Sequence, residues 1–123
     1  MQKTRLQEEG ITHVLKVNGV NDLISAKFLK VDFKVVSLED NEYYEISDQD
    51  LSDCFGFIKQ ENRTVVVCTA GISRSATICI AYLMKYEGKS LEQAHAQVKQ
   101  ARRFVKPNPG FWRFLVSYEQ RLK

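Results

Sequence analysis

The run Thr64-Val65-Val66-Val67 is unbroken by charge and ends on Cys68, and a helix-patterned stretch begins only a few residues later. A continuous apolar run of this kind predicts a central strand covered on both faces. From Ser75 to Tyr86 the apolar residues Ile78, Ala81, Tyr82 and Met84 recur at helical spacing, and Gly88 follows as a stop. Strand, short loop and helix in that order are the repeating unit of layered α/β folds, so this segment narrows the architecture more than any other. In such sheets ligands bind beyond the carboxyl ends of the strands, where the loop Cys68-Thr69-Ala70-Gly71-Ile72-Ser73-Arg74 falls.

The rest of the chain fits the same plan. Residues 4–9 read as the end of a helix stopped by Gly10, and Ile11 to Val17 as a strand bounded by Asn18-Gly19. A turn of helix is expected over 21–27, then a half-buried strand from Phe28 to Val36. Ser37 to Tyr44 is an acidic loop, and Ser47 caps a helix that runs to about Lys59 on Ile46, Leu51, Phe55 and Ile58. Ser90 with Gln93 forms a capping-box pattern for a helix to about Phe104. Pro107 breaks the chain, and Asn108-Pro109 give a cap and first-turn proline for a last helix bearing Phe111, Trp112, Phe114, Leu115, Tyr118 and Leu122. The expected fold is α/β: a mostly parallel central sheet with helices on both faces, in one domain spanning residues 1–123.

The loop carries chemistry. Gly71 lets successive N–H groups converge on one anion, and the helix beginning near Arg74 points its orphan N–H groups and dipole into the same space. That field stabilises Cys68 as a thiolate. Arg74 offers a planar fork matched to two phosphate oxygens. The pattern therefore points to phosphoryl transfer onto cysteine. Such a nucleophile needs a proton donor for the departing oxygen, and the acidic loop supplies Asp40 as leading candidate, with Glu39 and Glu42 as alternatives.

Composition excludes several other classes. No apolar run approaches the roughly 18 residues of a membrane span, and no signal-like segment opens the chain. Three cysteines without framework spacing argue for a reducing compartment, cytoplasmic or nuclear, with Cys54 and Cys79 as small buried hydrophobes. His13 and His95 lack partners at ligand spacing, so no metal is expected. The net charge of +3 hides an asymmetry: residues 35–58 hold seven carboxylates and no basic residue, whereas residues 99–123 hold seven basic residues against Glu119 alone. Solvated helix faces account for that basic tail, with anionic substrates or nucleic acid as the alternative.

Cys68-Thr69-Ala70-Gly71-Ile72-Ser73-Arg74-Ser75 resembles the signature loop of dual-specificity protein phosphatases, within the cysteine-dependent protein tyrosine phosphatase superfamily. Gly10-Ile11-Thr12-His13-Val14-Leu15, Phe57-Ile58, Ser75 through Met84, and Pro107-Asn108-Pro109-Gly110-Phe111 resemble the family pattern in the same order, so the likeness covers nearly the whole chain. The resemblance implies a tyrosine-phosphatase-like fold and hydrolysis of phosphotyrosine, phosphoserine or phosphothreonine esters of a phosphorylated protein, through a phosphocysteine and without cofactor. It implies Cys68 as nucleophile and Arg74 as clamp, with the N–H groups of Thr69, Ala70, Gly71, Ile72, Ser73 and Arg74 as cradle. Ser75 then supports the thiolate as it forms and departs, and Asp40 serves as general acid and then base. No nucleic acid or membrane partner is expected, and nothing in the sequence signals an oligomeric state.

Three departures from the pattern stand out. The family usually has histidine where this chain has Val67, and asparagine where it has Lys16; its opening strand has no counterpart before Met1. Retention of Cys68, Arg74 and Asp40 favours an active enzyme. Val67 favours the alternative, a weak or inactive phosphate-binding or scaffolding module. Another Cys-x5-Arg thiol enzyme, such as an arsenate reductase or a rhodanese-like sulfur transferase, conflicts with the helical blocks after residue 75.

Overall fold

The computed structural model describes residues 12–17, 32–58, 63–68 and 72–123. The helical readings over 4–9 and 21–27, the first part of the strand from Phe28, and the region of the family's opening strand lie outside those residues. Three strands are described, β1 (His13–Lys16), β2 (Asp32–Val35) and β3 (Thr64–Val67), with four helices, α1 (Asp48–Phe57), α2 (Arg74–Tyr86), α3 (Leu91–Ala101) and α4 (Pro109–Leu122). The strands form one parallel sheet in the order β2-β1-β3. This is the α/β architecture expected from the strand–loop–helix unit.

Side chains alternate across β1, and both faces are sealed: Val14 and Lys16 are buried on one, Leu15 and Val17 on the other. Leu15 and Val17 join a continuous core with Leu38, Leu51, Cys54, Ile78, Ile80, Ala94, Phe111 and Leu115. All four helices contribute to it, so the sheet and the helices around it are fixed to one another by a single apolar interior. None of the described helices is long and apolar enough to cross a membrane.

The helix starts follow from local chemistry. Ser47 and Asp50 form a reciprocal capping box at α1, Ser90 and Gln93 do the same at α3, and the Asn108 side chain accepts the Phe111 N–H with Pro109 in the first turn of α4. Gly88, at φ 66°, adopts the left-handed conformation that lets the chain leave α2.

Two expectations need correction. Helix α3 ends at Ala101 rather than near Phe104, because Arg102 turns extended and the Lys106 N–H donates to Ile72 O at 2.8 Å. Buried Val105 anchors the same turn, and these tertiary contacts outweigh a helical pattern that the sequence would have continued. Strand β3, expected at the centre, has one described neighbour, and each of its four side chains is half-buried rather than sealed. Among the described strands the central position belongs to β1.

Candidate active site

Strand β3 delivers Cys68 to the start of α2. Ser73 is the N-cap residue of that helix, yet its side chain makes no cap hydrogen bond. The sulfur of Cys68 takes that place: Ser75 donates its backbone N–H to Sγ at 3.4 Å, and its Oγ lies 3.3 Å from the same atom. An acceptor here satisfies an N–H that the helix cannot satisfy itself. Ser73 is held elsewhere. Its Oγ accepts the Asn108 N–H at 2.9 Å, and its carbonyl accepts both the N–H and the hydroxyl of Thr77.

Arg74 is the first residue of α2. Its Nη1 donates to Leu38 O at 3.2 Å, while its buried Nε has no partner among the described residues. A buried unsatisfied donor is costly, which makes this edge of the guanidinium a ready place for an anionic oxygen. Thr69, Ala70 and Gly71 lie outside the described residues. Ile72 is partly exposed and tied through its carbonyl to Lys106.

The acidic loop is anchored rather than free. Val36, Leu38 and Ile46 are buried along it, while Glu39 and Asp40 face outward. The Tyr44 hydroxyl lies 3.0 Å from Asp50 Oδ2 and 3.2 Å from Ser37 O, bridging the start of the loop to the α1 cap. Burial, followed by the Asp50 carboxylate, pushes the Tyr44 phenol up to about 12, so this donor stays protonated throughout the neutral range. Asp40 accepts a 3.0 Å hydrogen bond from Asn108 Nδ2. Glu39 and Glu42 have no such tie among the described residues: Glu42 meets the rest of the site through its backbone, which packs so closely on Gly110 that a methyl group there would collide with the Glu42 carbonyl.

Among the described residues, Asp40 is the one candidate carboxylate joined by its side chain to the Cys68 loop, and Asn108 is the joint. One residue caps α4, holds Asp40 and braces Ser73. Sequence reasoning found only the cap, because Asn-Pro is a local signal whereas Asp40 is far away in the chain. The remaining cysteines stand apart chemically. Burial pushes the Cys54 thiol up to about 12, with Asp50 and Asp53 adding to it, and the Cys79 thiol up to about 11, with Cys68 adding to it. Both are neutral thiols near pH 7, poorly suited to attack.

The family model for the dual specificity phosphatase catalytic domain matches residues 1–121. The chain is 36% identical to human dual specificity protein phosphatase 21, over 98% of this chain and 64% of that protein. It is 37% identical to human dual specificity protein phosphatase 14, over 95% of this chain and 60% of that protein. The crystal structure of human DUSP28 superposes with a TM-score of 0.83 at 29% identity, covering 98% of this chain and 85% of that one. The chain thus spans under two thirds of the length of these two curated relatives, and the match runs through every segment that builds the site. The chain belongs to the dual specificity phosphatase catalytic-domain family.

Proposed function

We propose that this chain hydrolyses phosphate monoesters on protein side chains, phosphotyrosine and phosphoserine or phosphothreonine, through a phosphocysteine. The observation that carries this reading is the convergence of Cys68 Sγ on the α2 N-terminus, the helix whose first residue, Arg74, has a buried Nε with no partner among the described residues. The helix N-terminus favours negative charge on the sulfur and on the phosphoryl group alike.

Sulfur attacks phosphorus, the phosphorus–oxygen ester bond breaks, and Asp40 protonates the departing oxygen. Arg74 and the loop N–H groups from Thr69 to Arg74 hold the equatorial oxygens, where charge accumulates in a loose transition state. Water then attacks phosphorus, giving its proton to Asp40 as the sulfur–phosphorus bond breaks. The Ser75 hydroxyl donates to the departing sulfur. No metal takes part in either step. The substrates are phosphorylated proteins of the cytoplasm or nucleus, and residues 1–123 act as one catalytic domain.

The test is hydrolysis of a small aryl phosphate across pH by the wild type, Cys68→Ser and Asp40→Asn. Turnover should vanish in Cys68→Ser and fall about 100-fold in Asp40→Asn, the scale of general acid catalysis. Turnover indifferent to Cys68 would refute the mechanism. Phosphopeptide binding with no turnover in the wild type would leave a binding module instead, the outcome that Val67 in place of histidine favours.

A further inference from the structure

Between the end of α3, the loop that follows it and the first turns of α4 lies an open groove of about 940 Å³. Four cations line it: Lys99 on α3, Arg103 and Lys106 in the loop, and Arg113 on α4. No carboxylate lines it, and none of the four enters a salt bridge among the described residues. All four are exposed. Concentrated positive charge without internal compensation costs stability by self-repulsion, so its presence in one groove points to an anionic occupant.

The groove also leads to the reaction centre. Asn108 lines its end while holding Asp40, and Lys106 is bonded through its N–H to Ile72 of the signature loop. On the same side the Glu42 backbone carbonyl accepts a long 3.5 Å contact from Arg113. Proline at 107 and 109 stiffens the wall between.

Its aromatic residues disfavour nucleic acid. Single-stranded nucleic acid is held on open ring faces. Here His95 and Trp112 are engaged edge to face with each other, their ring centres 5.1 Å apart. Phe104, 73% exposed, carries the Arg103 guanidinium over its ring at 5.3 Å. An extended peptide needs no stacking platform, and its carboxylates suit the four cations.

We propose that this groove binds an acidic segment of the phosphoprotein substrate, adjacent to the residue being dephosphorylated; the assignment rests on the phosphatase reading above. The test compares two fluorescein-labelled phosphotyrosine peptides that differ only in flanks of Asp and Glu or of Asn and Gln. Binding is measured on Cys68→Ser protein by anisotropy, and turnover on the wild type. The acidic peptide should bind about tenfold more tightly and show the higher kcat/KM, with the margin shrinking as salt is added. Lys99→Glu with Arg103→Glu should erase the margin, and Lys99→Gln with Arg103→Gln should reduce it.

Equal binding of the two peptides by the wild-type surface would overturn the proposal, as would a margin that survives charge reversal. So would displacement of the acidic peptide by a single-stranded oligonucleotide at lower concentration than by unlabelled acidic peptide. Absence of aryl phosphate turnover in the wild type, with the binding margin intact, would remove the phosphatase reading alone and leave the groove's preference supported.

Discussion

Asn108 shows how much of this site depends on a single neutral side chain. Its Oδ1 satisfies the start of α4, its Nδ2 holds Asp40 at 3.0 Å, and its own N–H reaches Ser73 at 2.9 Å. Cap and acid can be separated by substitution, because capping needs an acceptor whereas holding Asp40 needs a donor. Asn108→Ala should lower stability by about 1 kcal/mol in thermal or urea unfolding. It should also lower kcat for an aryl phosphate with a poor leaving group by about 10- to 100-fold, the cost of a displaced catalytic group. Asn108→Asp keeps the cap acceptor, so most of the stability should return, while turnover stays low because a carboxylate now faces Asp40. If Asn108→Asp restored turnover together with stability, the side chain would serve only to cap the helix. Cap and Asn-Pro pattern were legible because they are local. The bond to Asp40 was not, since nothing near residue 108 announces a partner in a distant loop.

At the scale of elements, the parallel pairing of β1 and β3 joins two features that looked separate. Lys16 stands in register with Val67. These are the positions where the family usually carries asparagine and histidine. Registered neighbours in a sheet project to the same face, and Lys16 is 7% exposed. A histidine restored at 67 alone would therefore share its surroundings with an ammonium group, which disfavours the imidazolium. Val67→His should accordingly gain little in kcat/KM by itself, and Val67→His with Lys16→Asn should exceed the product of the two single effects. A coupling of at least about 0.5 kcal/mol is expected from a double-mutant cycle on aryl phosphate hydrolysis. Additive effects would mean that the two departures are independent. Each substitution was visible in the sequence, but their adjacency was not, because strand order is a property of long-range pairing. The same limit explains why the run Thr64–Val67 reads as a central strand while β1 holds the centre among the described strands, and why the helical pattern of α3 runs on across residues that tertiary contacts pull toward Ile72.

Across the whole molecule, folding brings the acidic middle of the chain against its basic end. Arg121 pairs with Asp48 at 2.9 Å and Arg113 reaches Glu42 O, yet the ion pair is exposed on both sides and adds little to stability. The interior matters more. Cys54, fully buried on α1, faces a core sealed by Leu51, Ile78 and Leu115. Burial first, then Asp50 and Asp53 with a smaller push from Cys79, raise its thiol from 9.0 to about 12 against a counteracting Lys34. A folded thiol that holds its proton longer than the unfolded one stabilises the fold most at low pH. That contribution is complete below about 9, and it is lost as pH rises toward 12. Each unit in that window should cost about 1.4 kcal/mol for this one group. Urea unfolding of the wild type should therefore show stability falling steeply above pH 9. In Cys54→Ala the curve should start lower, because a cavity replaces the sulfur, but descend less steeply, since Cys79, Tyr44 and Tyr118 still continue the trend without it. Parallel descents in the two proteins would show that Cys54 does not carry the alkaline loss, and that the core tolerates a thiolate where its burial says it should not.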